Sequence, residues 1–223
     1  MRIIKSYGAI IRKKCKHCNQ YEDLITCNCK YLVIKPRNSM ALRIVMESKC
    51  LFTEDQLLKL IGNMHYEEIY TLLNYDKKTI ITLYGTMKKY KEFINYDILI
   101  KVLKNNKIPK SKNIYDYDIP RGRKNKNESE IDAIKRELNE EIGIKSDDFI
   151  ISKEFLELIQ KPFPMDNQNN IKYVYKYYIS DLVTSENINI NFNNRKQCEE
   201  VYRIKWISKE KLIEILKHKT YYL

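Results

Sequence analysis

Residues 122–144 read GRKNKNESEIDAIKRELNEEIGI, and the spacing within that run decides how the rest of the chain is read. Gly122 comes first, then Glu128, then Arg136-Glu137-Leu138 with Glu140, Glu141, Ile142 and Gly143 close behind. Ser129, with Asp132 three residues on, has the chemistry of a helix N-cap, and Gly143 stands where a left-handed residue would end the helix. At about 100° per residue, Ile131, Ile134, Leu138 and Ile142 share an apolar arc. Glu137, Glu140 and Glu141 cluster on the neighbouring arc, where like charges repel and cost helix stability. A cation is therefore expected among them, and hard carboxylate oxygens select Mg²⁺ or Mn²⁺. Ala133, one turn back, is expected to leave room for a phosphate. The plain alternative is a surface helix whose glutamates are simply solvated.

The full pattern of glycines, arginine and glutamates resembles the Nudix box, the signature of hydrolases that cleave a diphosphate linked to another moiety. The resemblance implies an α/β fold, the Nudix α/β/α sandwich. It makes Glu137, Glu140 and Glu141 metal ligands. Arg136 and Glu128 become the pair that orients those carboxylates, with Glu128 also a candidate ligand.

The chain has 223 residues, enough for one domain carrying an insertion. Its net charge of +12 is unevenly placed. Residues 1–37 carry nine Lys and Arg against Glu22 and Asp23, and residues 38–112 carry thirteen against eight acids. Residues 113–223 hold nineteen of each sign and are formally neutral. All the excess positive charge thus lies outside the segment with the acidic helix. A phosphate-cleaving centre joined to basic segments favours a long polyanionic substrate over a compact one. A generally basic protein with no such substrate is the alternative. No stretch approaches the roughly 18 apolar residues of a membrane span. The N-terminal run has no small-residue cleavage site, so a cytoplasmic protein is expected rather than a secreted one.

Cys15, Cys18, Cys27 and Cys29 form CKHC and CNC motifs eight residues apart. In a reducing compartment such spacing favours metal ligation over disulfides, and a structural Zn²⁺ is a candidate with His17 as a substitute ligand. Reduced thiols without metal are the alternative.

Ser6–Arg12 and Tyr31–Lys35 read as two strands joined by the cysteine loop. From about Asn38 to Asn106 the apolar spacing turns helical, with Thr53 and Gln56 forming a capping box. The expected organisation is a Nudix domain over 1–37 and 113–223, interrupted by a mostly helical, basic insertion over 38–112. Lys77–Lys112 holds ten lysines with Tyr84, Tyr90 and Tyr96 among them. That mixture suits phosphate contacts and base stacking, with Lys88, Lys89, Lys91, Lys101 and Lys104 the candidate RNA contacts. The tyrosines, taken one at a time, fit a packed core equally well. Strand signal returns at Ile114–Ile119, Phe149–Leu158, Lys172–Ile179 and Arg203–Ile207, and Lys209–Lys217 is an amphipathic helix.

Two flanking elements narrow the resemblance. Ile119-Pro120-Arg121-Gly122-Arg123 resembles the lead-in to the box of mRNA decapping Nudix enzymes, and Glu200 to Trp206 resembles their Glu-apolar-x-x-apolar-x-Trp element. The basic helical segment is similar to the arrangement in decapping enzymes of large DNA viruses, with the African swine fever virus type nearer than the poxvirus type. This implies a viral enzyme of the host-cell cytoplasm whose partner is capped mRNA. It would release 7-methyl-GDP and leave 5′-monophosphate RNA. Arg121 and Arg123 become candidate phosphate clamps, and Glu200 a further ligand or general base, ahead of Glu199. Tyr7, Tyr115, Tyr117 and Phe163 lie near the elements expected to meet the cap base. The alternatives are a pyrophosphatase acting on diphosphoinositol or dinucleoside polyphosphates, and a non-catalytic RNA-binding module. A homodimer is compatible with the sequence.

Overall fold

A computed structural model of the chain describes residues 2–15, 28–84, 93–106, 116–160, 171–184 and 188–222. The chain forms two compact units. One is Met1–Arg37, Ile114–Pro162 and Gln168–Leu223; the other is Asn38–Asn113 with Phe163–Asn167.

The first unit is organised by strand β1 (Arg2–Lys13), which pairs with β2 (Lys30–Pro36) and with the two-residue β3 (Arg121–Gly122). Along its other edge β1 runs parallel to β5 (Ile171–Leu182) in register from Arg2↔Ile171 to Arg12↔Asp181. That register is locked at one end by ion pairs from Arg12 at 2.7 Å and Lys14 at 2.9 Å to Asp181. Antiparallel strands β4 (Phe149–Gln160), β6 (Val201–Ile207) and β7 (Thr220–Tyr222) complete a sheet in the order β6-β2-β1-β5-β4-β7.

Alternation along β1 and β2 gives the sheet two apolar faces. Tyr7, Ala9, Ile11, Leu32 and Ile34 pack with Ile134, Leu138 and Ile142 of helix α6 (Glu130–Ile142). Ile10, Tyr31 and Val33 face the other way, with Leu212, Ile215 and Leu216 of helix α8 (Lys209–Lys219). A helix on each side of one mixed sheet is the α/β/α sandwich expected from the sequence. Ala133 is fully buried, so its small side chain serves packing rather than phosphate access.

The second unit contains α1 (Met40–Glu47), α2 (Glu54–Ile61), α3 (Tyr66–Asn74), α4 (Lys77–Tyr84) and α5 (Tyr96–Asn105). Each of α1, α2 and α5 buries a stripe of Leu, Ile, Val or Met into a shared core around Phe93. The capping box is formed: Thr53 Oγ1 accepts from the Gln56 amide at 3.4 Å, and Gln56 Oε1 accepts from the Thr53 amide at 2.9 Å. The helical spacing expected from about Asn38 to Asn106 is not continuous through Phe93 and Ile94. Helix α5 starts only at Tyr96, because buried Asn95 is spent on the 50–52 segment, accepting from the Phe52 amide and donating to the Cys50 carbonyl. Among the described residues no helix is long and apolar enough to cross a membrane.

The strand expected over Ile114–Ile119 is not formed in its described part. Asp118 makes one bridge with Ile34, and pairing resumes at Arg121. The interruption has a local cause: the Asp118 carboxylate accepts from the Ile119 amide at 2.8 Å, and Pro120 has no amide to give a ladder.

Leu138 is wholly buried where α6 meets the sheet. Leu138→Ala is expected to lower unfolding free energy by about 2–5 kcal/mol, read from urea denaturation.

Candidate active site

Helix α6 begins and ends as its sequence dictates. Ser129 Oγ accepts from the Asp132 amide at 3.1 Å, and Gly143 takes the left-handed conformation, φ 73°, that stops the helix without Cβ strain. With its apolar arc on the sheet, the helix carries Glu137, Glu140 and Glu141 beside the 121–128 loop and helix α7 (Arg195–Glu200).

Arg136 ties the cluster together. Its Nε and Nη2 grip the two oxygens of Glu128 at 2.8 and 3.1 Å. Nη1 donates to Glu137 at 2.6 Å and to Glu140 at 3.4 Å, while Nη2 also reaches the Arg123 carbonyl at 2.8 Å. The Arg136 hydrogen bonds, followed by the Asn125 amide, hold the Glu128 carboxyl down at about 2. Glu128 is thus committed to Arg136 and to the loop, which suits an orienting role over a ligand role.

The loop comes very close to the helix at one place. A Cβ on Gly122 would fall 1.8 Å from Glu137 Oε1, so any larger residue there would push that carboxylate out of its place. Next to it, the Arg121 amide donates to Glu141 Oε2 at 2.9 Å. Burial raises the Glu141 carboxyl well above its usual range, Glu137 adds to the rise, and Arg121 opposes it. Burial likewise raises Glu137, against the pull of Arg136. Glu200 contributes to both rises, which places its charge in the same field. Glu199 instead meets Arg195 at 2.6 Å on the exposed side of α7.

Two residues of α7 escaped the sequence reading. Lys196 Nζ contacts Glu140 at 2.6 Å. Gln197 is fully buried: its Nε2 donates to the Glu141 carbonyl at 3.2 Å and its Oε1 accepts from the Asn191 amide at 2.7 Å. Gln197 therefore fixes α7, and with it Glu200, against the end of α6. A lone Lys-Gln pair in a short polar helix carries no sequence signal of such a role.

A family model for the NUDIX domain matches residues 100–222, more than half of the chain. The chain belongs to the Nudix family. No curated protein matches it. Among solved structures it is similar to the C. elegans Ap4A hydrolase, in a binary complex and alone. Sequence identity is 13% in both cases, with TM-scores of 0.45 and 0.42. The alignments cover 95% and 96% of this chain and 85% and 86% of the other. Likeness at that level says nothing of substrate.

Nudix hydrolases need a divalent cation, and the donor set fits one: Glu137, Glu140, Glu141 and Glu200 offer oxygen only, in the pattern that suits Mg²⁺ or Mn²⁺. Among the described residues no three of them close into a cage, because Arg136 and Lys196 draw Glu137 and Glu140 toward themselves. A divalent ion held by these carboxylates would offset their repulsion, neutralise phosphate oxygens and acidify a bound water.

The two arginines expected to clamp phosphate are placed differently. Arg121 pairs with Asp118 at 2.6 Å and lies 4.0 Å from the Tyr175 ring centroid, so its charge is engaged within the fold. Burial opposes charge on Asp118, but Arg121 and then Lys219 outweigh it and hold that carboxyl at about 2. Arg123 is exposed beside the cluster. Tyr7 and Tyr117 are both buried, Tyr7 on the α6 face of the sheet and Tyr117 on the α8 face.

Other expectations are only partly reached by the structure. Lys101 and Lys104 are exposed on α5, whereas Lys88, Lys89, Lys91 and Tyr90 lie outside the described residues. Tyr84 and Tyr96 pack on the helical core, with hydroxyls donating to Thr71 at 3.0 Å and to the Tyr75 carbonyl at 3.3 Å. Cys15 and Cys29 sit where β1 and β2 converge; Cys18, Cys27, His17, Tyr115 and Phe163 lie outside the described residues.

The raised Glu141 carboxyl has a definite consequence for stability. The folded protein keeps a proton that the unfolded chain releases above about 4.5. Stability without metal should therefore fall as pH rises from 4.5 toward the folded pKa. Thermal melts at pH 5 and 7.5 are expected to show this slope, Glu141→Gln to flatten it, and Mg²⁺ to raise the midpoint more at the higher pH.

Proposed function

We propose that this Nudix hydrolase removes the 5′ cap of mRNA, cleaving the triphosphate bridge to give 7-methyl-GDP and 5′-monophosphate RNA. The observation that carries the reading is the separation of chemistry from charge. The acidic centre lies in a formally neutral segment, while the excess of positive charge belongs to residues 1–37, +7 elsewhere in the catalytic unit, and to residues 38–112, +5, of the separately packed helical unit. A compact polyphosphate needs a basic pocket at the centre. A long RNA needs cationic surface along the strand that follows it. The Pro120-Arg121-Gly122-Arg123 lead-in and the Glu200–Trp206 element support the same specificity through their resemblance to mRNA decapping Nudix enzymes, and the basic helical segment resembles the arrangement in those of large DNA viruses.

In this reading Glu137, Glu140, Glu141 and Glu200 hold Mg²⁺ or Mn²⁺ against the bridging phosphates, Arg136 keeps the glutamates in place through Glu128, and exposed Arg123 meets phosphate oxygens. The water that adds across the bridge loses its proton to a carboxylate of the cluster. Lys101 and Lys104, three residues apart on exposed positions of α5, contact the RNA body.

The test is incubation with RNA labelled in its cap phosphates, with Mg²⁺ or Mn²⁺, and chromatography of the products. Label is expected as 7-methyl-GDP, and Glu140→Gln is expected to remove most turnover while the protein still folds. An intact cap under both metals would overturn decapping and turn attention to dinucleoside and diphosphoinositol polyphosphates. Replacing Lys101 and Lys104 by Ala is expected to flatten the log–log dependence of RNA affinity on salt by roughly 0.7 for each phosphate no longer neutralised. Hydrolysis of a free cap dinucleotide should be unchanged by that pair.

A further inference from the structure

A second built arrangement lies on the α6 face of the sheet, near the start of the helix. Phe155 of β4 stands opposite Tyr178 of β5, and Glu157 opposite Lys176. The β4–β5 register shifts between Ile151 and Phe155, a bulge of the kind that re-aims a side chain. Phe155 is 51% exposed, its ring centroid 5.6 Å from that of Tyr178.

A cation sits against both rings. Lys176 Nζ lies 4.0 Å from the Phe155 centroid and 5.2 Å from the Tyr178 centroid. It donates to Glu130 Oε2 at 2.7 Å, and the Tyr178 hydroxyl donates to the same oxygen at 2.6 Å. Burial works against charge on Glu130, but the bonds from Lys176 and Tyr178 hold the carboxyl below its usual range. Two aromatic faces and an ionised carboxylate around one positive charge form the chemistry that binds a flat cation. A tether between α6 and β5 would need the ion pair alone. It would not need an exposed phenylalanine beneath the ammonium.

We infer that this corner seats the purine base of the substrate, with Lys176 holding the place of a positively charged ring. The inference rests on the decapping reading, in which that ring is N7-methylated guanine. Its delocalised charge faces Phe155, and its N1–H and exocyclic amine donate to Glu130. The distance is suitable. Glu130 and Glu137 are two turns apart on one helix face, about 10 Å along the axis. A base at Glu130 therefore directs its phosphates toward the glutamate cluster, and the displaced Lys176 ammonium is free to follow them.

The experiment is calorimetric binding of 7-methyl-GDP and of GDP in Mg²⁺ to the wild type, Phe155→Ala and Lys176→Met, with cap-product analysis of the wild type in parallel. The wild type is expected to favour 7-methyl-GDP by roughly ten-fold or more, the scale of a desolvated cation–π contact. Phe155→Ala, a change at an exposed position, should erase the preference. Lys176→Met should tighten 7-methyl-GDP several-fold by removing the competitor for Glu130, a gain that loss of a merely structural ion pair would not produce. No methyl preference, a preference untouched by Phe155→Ala, or equal weakening of both nucleotides by Lys176→Met would each overturn the inference. Cap cleavage without methyl preference would sink the base seat and leave decapping standing. A Phe155-dependent preference without cap cleavage would do the reverse.

Discussion

Crowded negative charge is the constraint around which the catalytic unit is built. Two unit charges about 4 Å apart interact by roughly 4 kcal/mol at the effective dielectric of a protein surface, and here four carboxylates share one small region. Arg136 makes this tolerable because its planar fork bonds to three of the box carboxylates and a loop carbonyl at once, a task a lysine could not perform. Glu128 holds the arginine, the arginine holds Glu137 and Glu140, and Gly122 gives Glu137 space. The opposing cation at Glu140 comes from Lys196. What Arg136 does not offset is concentrated at the partly buried Glu141 and Glu137, whose raised carboxyls mark where a divalent ion has most to gain.

The parts of this site legible in the sequence were those with short-range rules. The cap at Ser129, the left-handed stop at Gly143, and the division of α6 into apolar and acidic arcs follow from spacing alone. The strands around Ser6–Arg12 and Tyr31–Lys35 were legible too, whereas the layering of helices on both sides of the sheet came from the resemblance to the Nudix box. Residues fixed by distant partners were not legible. Gln197 matters because a carbonyl at the end of α6 and an amide at Asn191 happen to converge on it. Arg121 looked like a phosphate ligand because its charge is visible in sequence, whereas Asp118 and the face of Tyr175 that engage it are not. Asp118 and Pro120 defeated a strand pattern that periodicity alone supported, and Asn95 cut short a helical one.

The chain also divides its apolar residues between two units. The acidic helix of the sandwich lies in a formally neutral stretch, residues 113–223, with the basic residues 1–37 in the same unit; the helical unit has its own apolar core and exposed lysines. Because each unit buries its own hydrophobic stripes, surface charge on the helical unit is open to change without repacking the catalytic one. The aromatic corner at Glu130 belongs to the same helix as the glutamates, so base and phosphate would be measured along a single rigid ruler.

The network around Asp118 has a temporal meaning as well as a spatial one. Lys219, near the end of α8, donates to the Tyr117 carbonyl at 2.7 Å and lies 3.4 Å from Asp118, which in turn engages Arg121, whose amide holds Glu141. Strand β1, synthesised first, likewise finds its long parallel partner only in β5. The ribosome must therefore pass Lys219 before this network around the lead-in loop is complete. A nascent hydrolase of this design lacks that tie on its box loop until α8 has emerged.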